Sequence, residues 1–129
     1  MAITHATAAR NAMANTVDDQ VNAGSTDVTG DFVLIESAGP TDLISFALQD
    51  PAFGAASSGT ITLQGTPIST TADAAGTADT FEVRDRDNTM IYTGTVTGTG
   101  SGGDVEIDNT SIESGQSAEL SSHSYTAAS

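Results

Sequence analysis

The chain has 129 residues, with 17 acidic side chains against three arginines and no lysine, for a formal net charge of -14. Without cysteine it can form neither a disulfide, a thiolate metal site nor a cysteine nucleophile, and its length suits one domain, 1–129. Arg10, Arg84 and Arg86 are too few to neutralise a phosphate backbone, so nucleic acid is not an expected ligand.

The core is expected to be thin. Leu, Ile, Val and Phe number 24, and 19 of the remaining apolar residues are Ala. That share, with so large a net charge, lies close to the disordered range, so order has to come from short strands or from partner subunits. Residues 1–23 lack a cationic start and an unbroken apolar run, and no window approaches a membrane span. The expectation is a protein made soluble in a cytoplasm, with no membrane partner.

Residues 4–22 carry the one helical period. Ala6, Ala9, Met13, Val17 and Val21 recur at three- and four-residue steps, Thr4 is the expected N-cap and Gly24 the stop. Asp18 and Asp19 near its end oppose the helix dipole. From residue 28 to 126 the pattern is β-rich. Phe32-Val33-Leu34-Ile35 reads as a strand covered on both faces, and Gly39-Pro40 separates it from an alternating strand with Ile44, Phe46 and Leu48 inward.

Phe81 and Val83 alternate with Glu82 and Arg84, Met90, Tyr92 and Val96 alternate with Ile91, Thr93 and Thr95, and Asp87-Asn88 tolerates the positive φ of a hairpin turn between them. Gly98 to Gly103 reads as a mobile loop, and Val105 and Ile107 as a further strand. A last strand over Ala118 to Thr126 changes parity, which predicts a bulge at Ser121-Ser122. The fold expected is mainly β, an antiparallel sandwich or barrel-like domain with one N-terminal α-helix.

Candidate chemistry is sparse. His5 and His123 have no nucleophile-elbow context and read as structural, so no catalytic residue is assigned. Asp85 and Asp87, with Asn88, are weak candidates for Ca²⁺, because closely spaced oxygens suit that ion. The Gly and Glu positions of an EF-hand are missing, so a polar turn is the favoured reading. No cofactor motif is present, and Asn109-Thr110-Ser111 is a glycosylation triplet of a kind that Thr/Ser-rich chains produce by chance.

Several blocks together resemble a family of small structural proteins of tailed viruses of prokaryotes, the head decoration or cement proteins. They are Thr7-Ala8-Ala9-Arg10-Asn11-Ala12, Asp50-Pro51-Ala52-Phe53-Gly54-Ala55-Ala56, Ala75-Gly76-Thr77-Ala78 leading into Phe81-x-Val83-x-Asp85-x-Asp87, Gly94-Thr95-Val96, Gly102-Gly103-Asp104 and Asn109-Thr110-Ser111-Ile112. The chain departs from the family pattern at Phe32 to Ile35, in lacking Lys, and at His123 in place of an apolar aromatic. The resemblance implies a non-enzymatic virion component on the capsid exterior, a homo-oligomer with a trimer favoured, whose partner is the major capsid protein.

Ala9, Met13 and Val17 on the helix and Phe53 in the Pro51 to Ala56 segment are the expected contacts, with Phe53 inserting into a neighbour's pocket. The alternative is a fibre- or spike-type module that binds a receptor or glycan. Asp in excess of Glu, with Arg in place of Lys, suits high ionic strength and suggests a saline or marine host. Melting temperature is therefore expected to rise from low to molar NaCl; a flat or falling profile would remove the halophilic reading.

Overall fold

The structure, a computed structural model, describes residues 3–128. Helix α1 (Thr7–Val21) precedes strands β1 (Asp31–Glu36), β2 (Thr41–Ala47), β3 (Thr60–Thr62), β4 (Ile68–Thr71), β5 (Gly76–Thr77), β6 (Thr80–Arg84), β7 (Met90–Gly98), β8 (Val105–Ile107), β9 (Ser111–Ile112), β10 (Ser117–Leu120) and β11 (Ser124–Thr126). The chain is mainly β with one helix, as its periodicity predicts. One sheet runs β2-β1-β6-β7-β8, and three small pairings, β10-β4, β11-β3 and β5-β9, curl around its inner face.

The continuous apolar run forms the central strand. All four of Phe32, Val33, Leu34 and Ile35 are buried in β1, which pairs antiparallel with β2 on one side and β6 on the other. Phe32 and Leu34 face the core, where Phe32 stacks on Phe81 at 5.1 Å and meets Phe46 edge-on at 6.2 Å. On the opposite face Val33 pairs with Glu82, while the Arg84 guanidinium grips Asp42 through two nitrogens at 2.8 and 2.9 Å and Glu82 at 2.9 Å. A register shift after Leu34 turns Leu43 inward beside Ile44, so strict alternation fails in β2.

Two expectations for strands are corrected. β8 pairs parallel to β7, with Val105 opposite Val96, so the sheet is mixed rather than antiparallel throughout. The expected last strand is two strands, because the chain changes partner at residues 121–123: β10 lies on β4 and β11 on β3. That exchange of sheets, and not a bulge, accounts for the change of parity.

The helix is also shifted. Ala6 is the N-cap, in extended conformation and with no side-chain cap bond, and Arg10 N–H donates to its carbonyl; Thr4 lies outside the helix. The buried line runs through Ala14 and Val21 with Met13 and Val17 at its sides, while Ala6 and Ala9 are exposed.

A second row, Asn11, Asn15, Asp18 and Asn22, faces residues 52–59. Their side-chain oxygens accept the backbone N–H groups of Gly59 (2.7 Å), Ala56 (3.1 Å), Phe53 (3.0 Å) and Ala52 (2.9 Å). Residues 53–57 form the outer arm of a hairpin with β3, turned by Ser58 (φ 52°) and Gly59 (φ 77°) and bonded through Gly54 and Ser57. The Phe53 and Ala56 N–H groups of that arm point away from β3, and the helix supplies the acceptors a further strand would have provided. The Arg10 guanidinium lies where a Cβ on Gly59 would fall, 2.8 Å away, so a side chain at 59 would displace it.

Asp18 separates the acceptor from the charge. Burial raises its pKa above the ordinary carboxylate value, against the lowering effect of the Phe53 N–H. Asp18→Ala should cost about 1–2 kcal/mol through the unpaired N–H, whereas Asp18→Asn, which keeps an acceptor and loses the disfavoured charge, should be neutral or stabilising near pH 7. Denaturant unfolding distinguishes them; equal losses would mean that the charge itself holds the segment.

Candidate functional site

The strand wall is open along one line. On the far side of the sheet Asp73 and Ala74 N–H groups reach the Leu43 carbonyl and carry β2 over toward β4. Between β8 and the β10–β11 segment, by contrast, no backbone hydrogen bond forms among the described residues. Behind this seam lies an apolar cavity of about 180 Å³ whose walls include Phe32, Ile44, Phe46, Ile107 and Leu120, with Asp108 and Glu119 also in its lining. A wider polar hollow along the same seam is lined by Asp104, Glu106, Ser122 and His123.

His123 stands in this hollow because the chain turns from β10 to β11 there. Its ring is edge-on to Phe32 at 5.0 Å and to Phe81 at 5.5 Å, and is stacked near Tyr92 at 5.9 Å. Tyr92 Oη and His123 Nε2 share a hydrogen bond of 2.7 Å. Burial pulls the imidazole down to about pKa 4 and pushes the Tyr92 phenol above its ordinary value, so both are neutral at pH 7. The pair holds two aromatic walls together. The centre of this aromatic cluster is thus a ring with a polar bond to Tyr92.

The Asp85-Arg86-Asp87-Asn88 turn is a lock between loops. Asn88 has φ 63°, as the expected turn requires, and Asp85 Oδ1 accepts from the Asp87 and Thr89 N–H groups. Asp87 Oδ1 accepts from Ser25 and Thr26 N–H at 2.9 Å each, bonds that hold its pKa below the ordinary value. Arg86 Nε donates to the Asp27 carbonyl at 2.8 Å. The two carboxylates proposed for Ca²⁺ are therefore directed at backbone N–H groups, and no cluster of three or more metal-binding side chains occurs among the described residues.

The glycine loop is tied down too. Glu106 accepts from Gly100 and Gly102 N–H, Gly103 N–H donates to Thr97 Oγ1, and Asp104 accepts from the Thr95 N–H. Asn109 Oδ1 accepts from Ser111 N–H in a local turn. His5 precedes the helix.

The expected contact residues do not form one patch. Ala9 is exposed, and Met13 and Val17 are half-buried against the core. Phe53 is corrected outright: at 1% exposure it belongs to the chain's own core, 6.5 Å from the His123 ring, so it cannot reach into a neighbour. Its neighbour Ala52 is fully buried beside it, whereas a Cβ on Gly54 would make only an ordinary 3.8 Å contact with the Thr62 carbonyl. The seam went unread in the sequence because its walls come from segments far apart in the chain. The Asn/Asp row was readable, since steps of four, three and four place those residues on one helical face.

No known protein family, curated protein or solved structure matches the chain.

The histidine yields a pH prediction. A base whose pKa is about 4 folded and 6.5 unfolded binds fewer protons in the folded state between those values. Its contribution is therefore complete above pH 6.5 and lost on acidification toward pH 4, a change of about 3 kcal/mol. His123→Phe, which keeps a ring but does not titrate, should flatten unfolding stability between pH 6.5 and 4.5; an unchanged slope would assign it to other groups.

Proposed function

We propose that the protein is a non-enzymatic structural part of a tailed-virus particle, a decoration protein that sits on the capsid exterior as a homo-oligomer, a trimer in the favoured form. Its partner is the major capsid protein, and its action is to hold adjacent capsomers together. The observation that carries the reading is the use made of the carboxylates. Asp18, Glu36, Asp79, Asp87 and Asp104 accept backbone N–H groups from other segments of the chain, and Glu106 accepts two from the glycine loop beside it.

Side chains that could serve a reaction instead brace loops and strands, as suits a part whose work is to keep its shape. The resemblance of several ordered blocks to decoration proteins points the same way. So does the thin core: a partner that binds only the folded state adds RT ln(1 + [L]/Kd), about 2.7 kcal/mol at a hundredfold excess over Kd. The aromatic rings argue for this reading over a glycan-binding module, because all four Phe are buried and Tyr92 and Tyr125 are half-buried in the histidine cluster.

The test is co-sedimentation of the purified protein with undecorated capsid shells. Saturable binding is expected, and a folded protein that never binds shells overturns the reading. Ala9→Glu alters an exposed side chain, so it should leave the unfolding free energy within about 0.5 kcal/mol of the parent while weakening shell binding at least tenfold. Undiminished binding would remove the outer helix face from the contact.

A further inference from the structure

We propose that the seam between β8 and β10–β11 receives a second copy of this chain, whose segment 3–6 lays the Ile3 side chain into the apolar cavity. The inference rests on the homo-oligomer part of the proposed function but not on its capsid role.

Three observations select this occupant. The first is size: an apolar cavity of about 150 Å³ accommodates a six-carbon ring and stays dry when empty, so about 180 Å³ suits the four-carbon side chain of one isoleucine. The second is supply. Among the described residues three large apolar side chains are exposed, Ile3 at 72%, Val28 at 84% and Met90 at 48%. Met90 is held in β7 opposite Arg84, and Val28 follows Asp27, whereas residues 3–6 belong to no helix or strand.

The third is charge. The seam carries Asp104, Glu106, Asp108 and Glu119 and no cation among its lining residues, so an acidic segment would be repelled. Residues 1–17 contain no Asp or Glu, in a chain that has 17 of them. The segment ahead of the helix is thus the apolar-bearing stretch of this chain that the seam can admit without like-charge repulsion.

The contact is heterologous, segment to seam, so it closes into a ring or continues from copy to copy. Because each copy carries a net charge of -14, association should tighten as NaCl is raised and the repulsion is screened.

Analytical ultracentrifugation of the full chain over a concentration series in 1 M NaCl tests the proposal. The parent should self-associate reversibly. Ile3→Asp should keep its melting temperature, since Ile3 is exposed, and raise the dissociation constant about tenfold to a hundredfold, the worth of one buried isoleucine. Because the chain has no cysteine, Ile3→Cys and Glu119→Cys proteins can also be mixed under oxidation, and a disulfide between copies is expected. A parent that stays monomeric, or an Ile3→Asp variant that associates undiminished, overturns the proposal. Self-association through Ile3 without shell binding would defeat the capsid role alone, and shell binding by a chain that never self-associates would defeat this inference alone.

Discussion

The outer arm of the 52–63 hairpin needs acceptors for N–H groups that no strand pairs, and much of the molecule is arranged around meeting that need. The helix meets it with carboxamide and carboxylate oxygens set one turn apart along a single face. Because each bond fixes both a helical position and a backbone position, the row sets the helix in rotation and in translation. Ala14 and Val21 are then buried as a consequence, on the face adjoining the polar row. A helix with so weak an apolar stripe would not find its place by burial alone.

The same economy recurs on the other side of the molecule. Asp87 gathers the loop after the helix onto the β6–β7 turn, Asp79 holds Ser37, Glu36 holds Thr77, and Asp104 holds the turn into β8. Hydrogen bonds keep Asp79, Asp87 and Asp104 below the ordinary carboxylate pKa. Their contribution is therefore present above the unfolded value and is lost as pH falls beneath it. Burial shifts Asp18 and Asp31 the other way. High acidity in this chain is thus partly structural, each such carboxylate replacing contacts that a larger core would make.

What could be read from the residues follows from the range of the interactions involved. β1, β2, β6 and β7 were legible because large apolar side chains repeat along each of them and turn residues punctuate them. β3, β4, β5 and β9 were not, since Thr, Ser and Gly leave almost no periodicity in two to four residues, although Ser58-Gly59 marks a hairpin turn. Phe53 was misread as a surface anchor for a related reason. Its flanking Ala and Gly residues suggest exposure, yet Ala52 is itself fully buried and the segment is held between the helix and β3. The parallel placement of β8 and the open seam depend on residues brought together only by the fold, and no local pattern records them.

The exchange of partners between β10 and β11 bears on how the protein is made. β3 and β4 are synthesised early, but each waits for a strand that leaves the ribosome only near the end of the described chain. During that interval their edges and the apolar faces behind them are unpaired, which is when nascent chains of this topology are most prone to stick to one another. Synthesis of residues 117–126 is therefore the step that completes the β4 and β3 pairings. A density of negative charge spread along the nascent chain keeps neighbouring copies on one polysome apart until that step is reached.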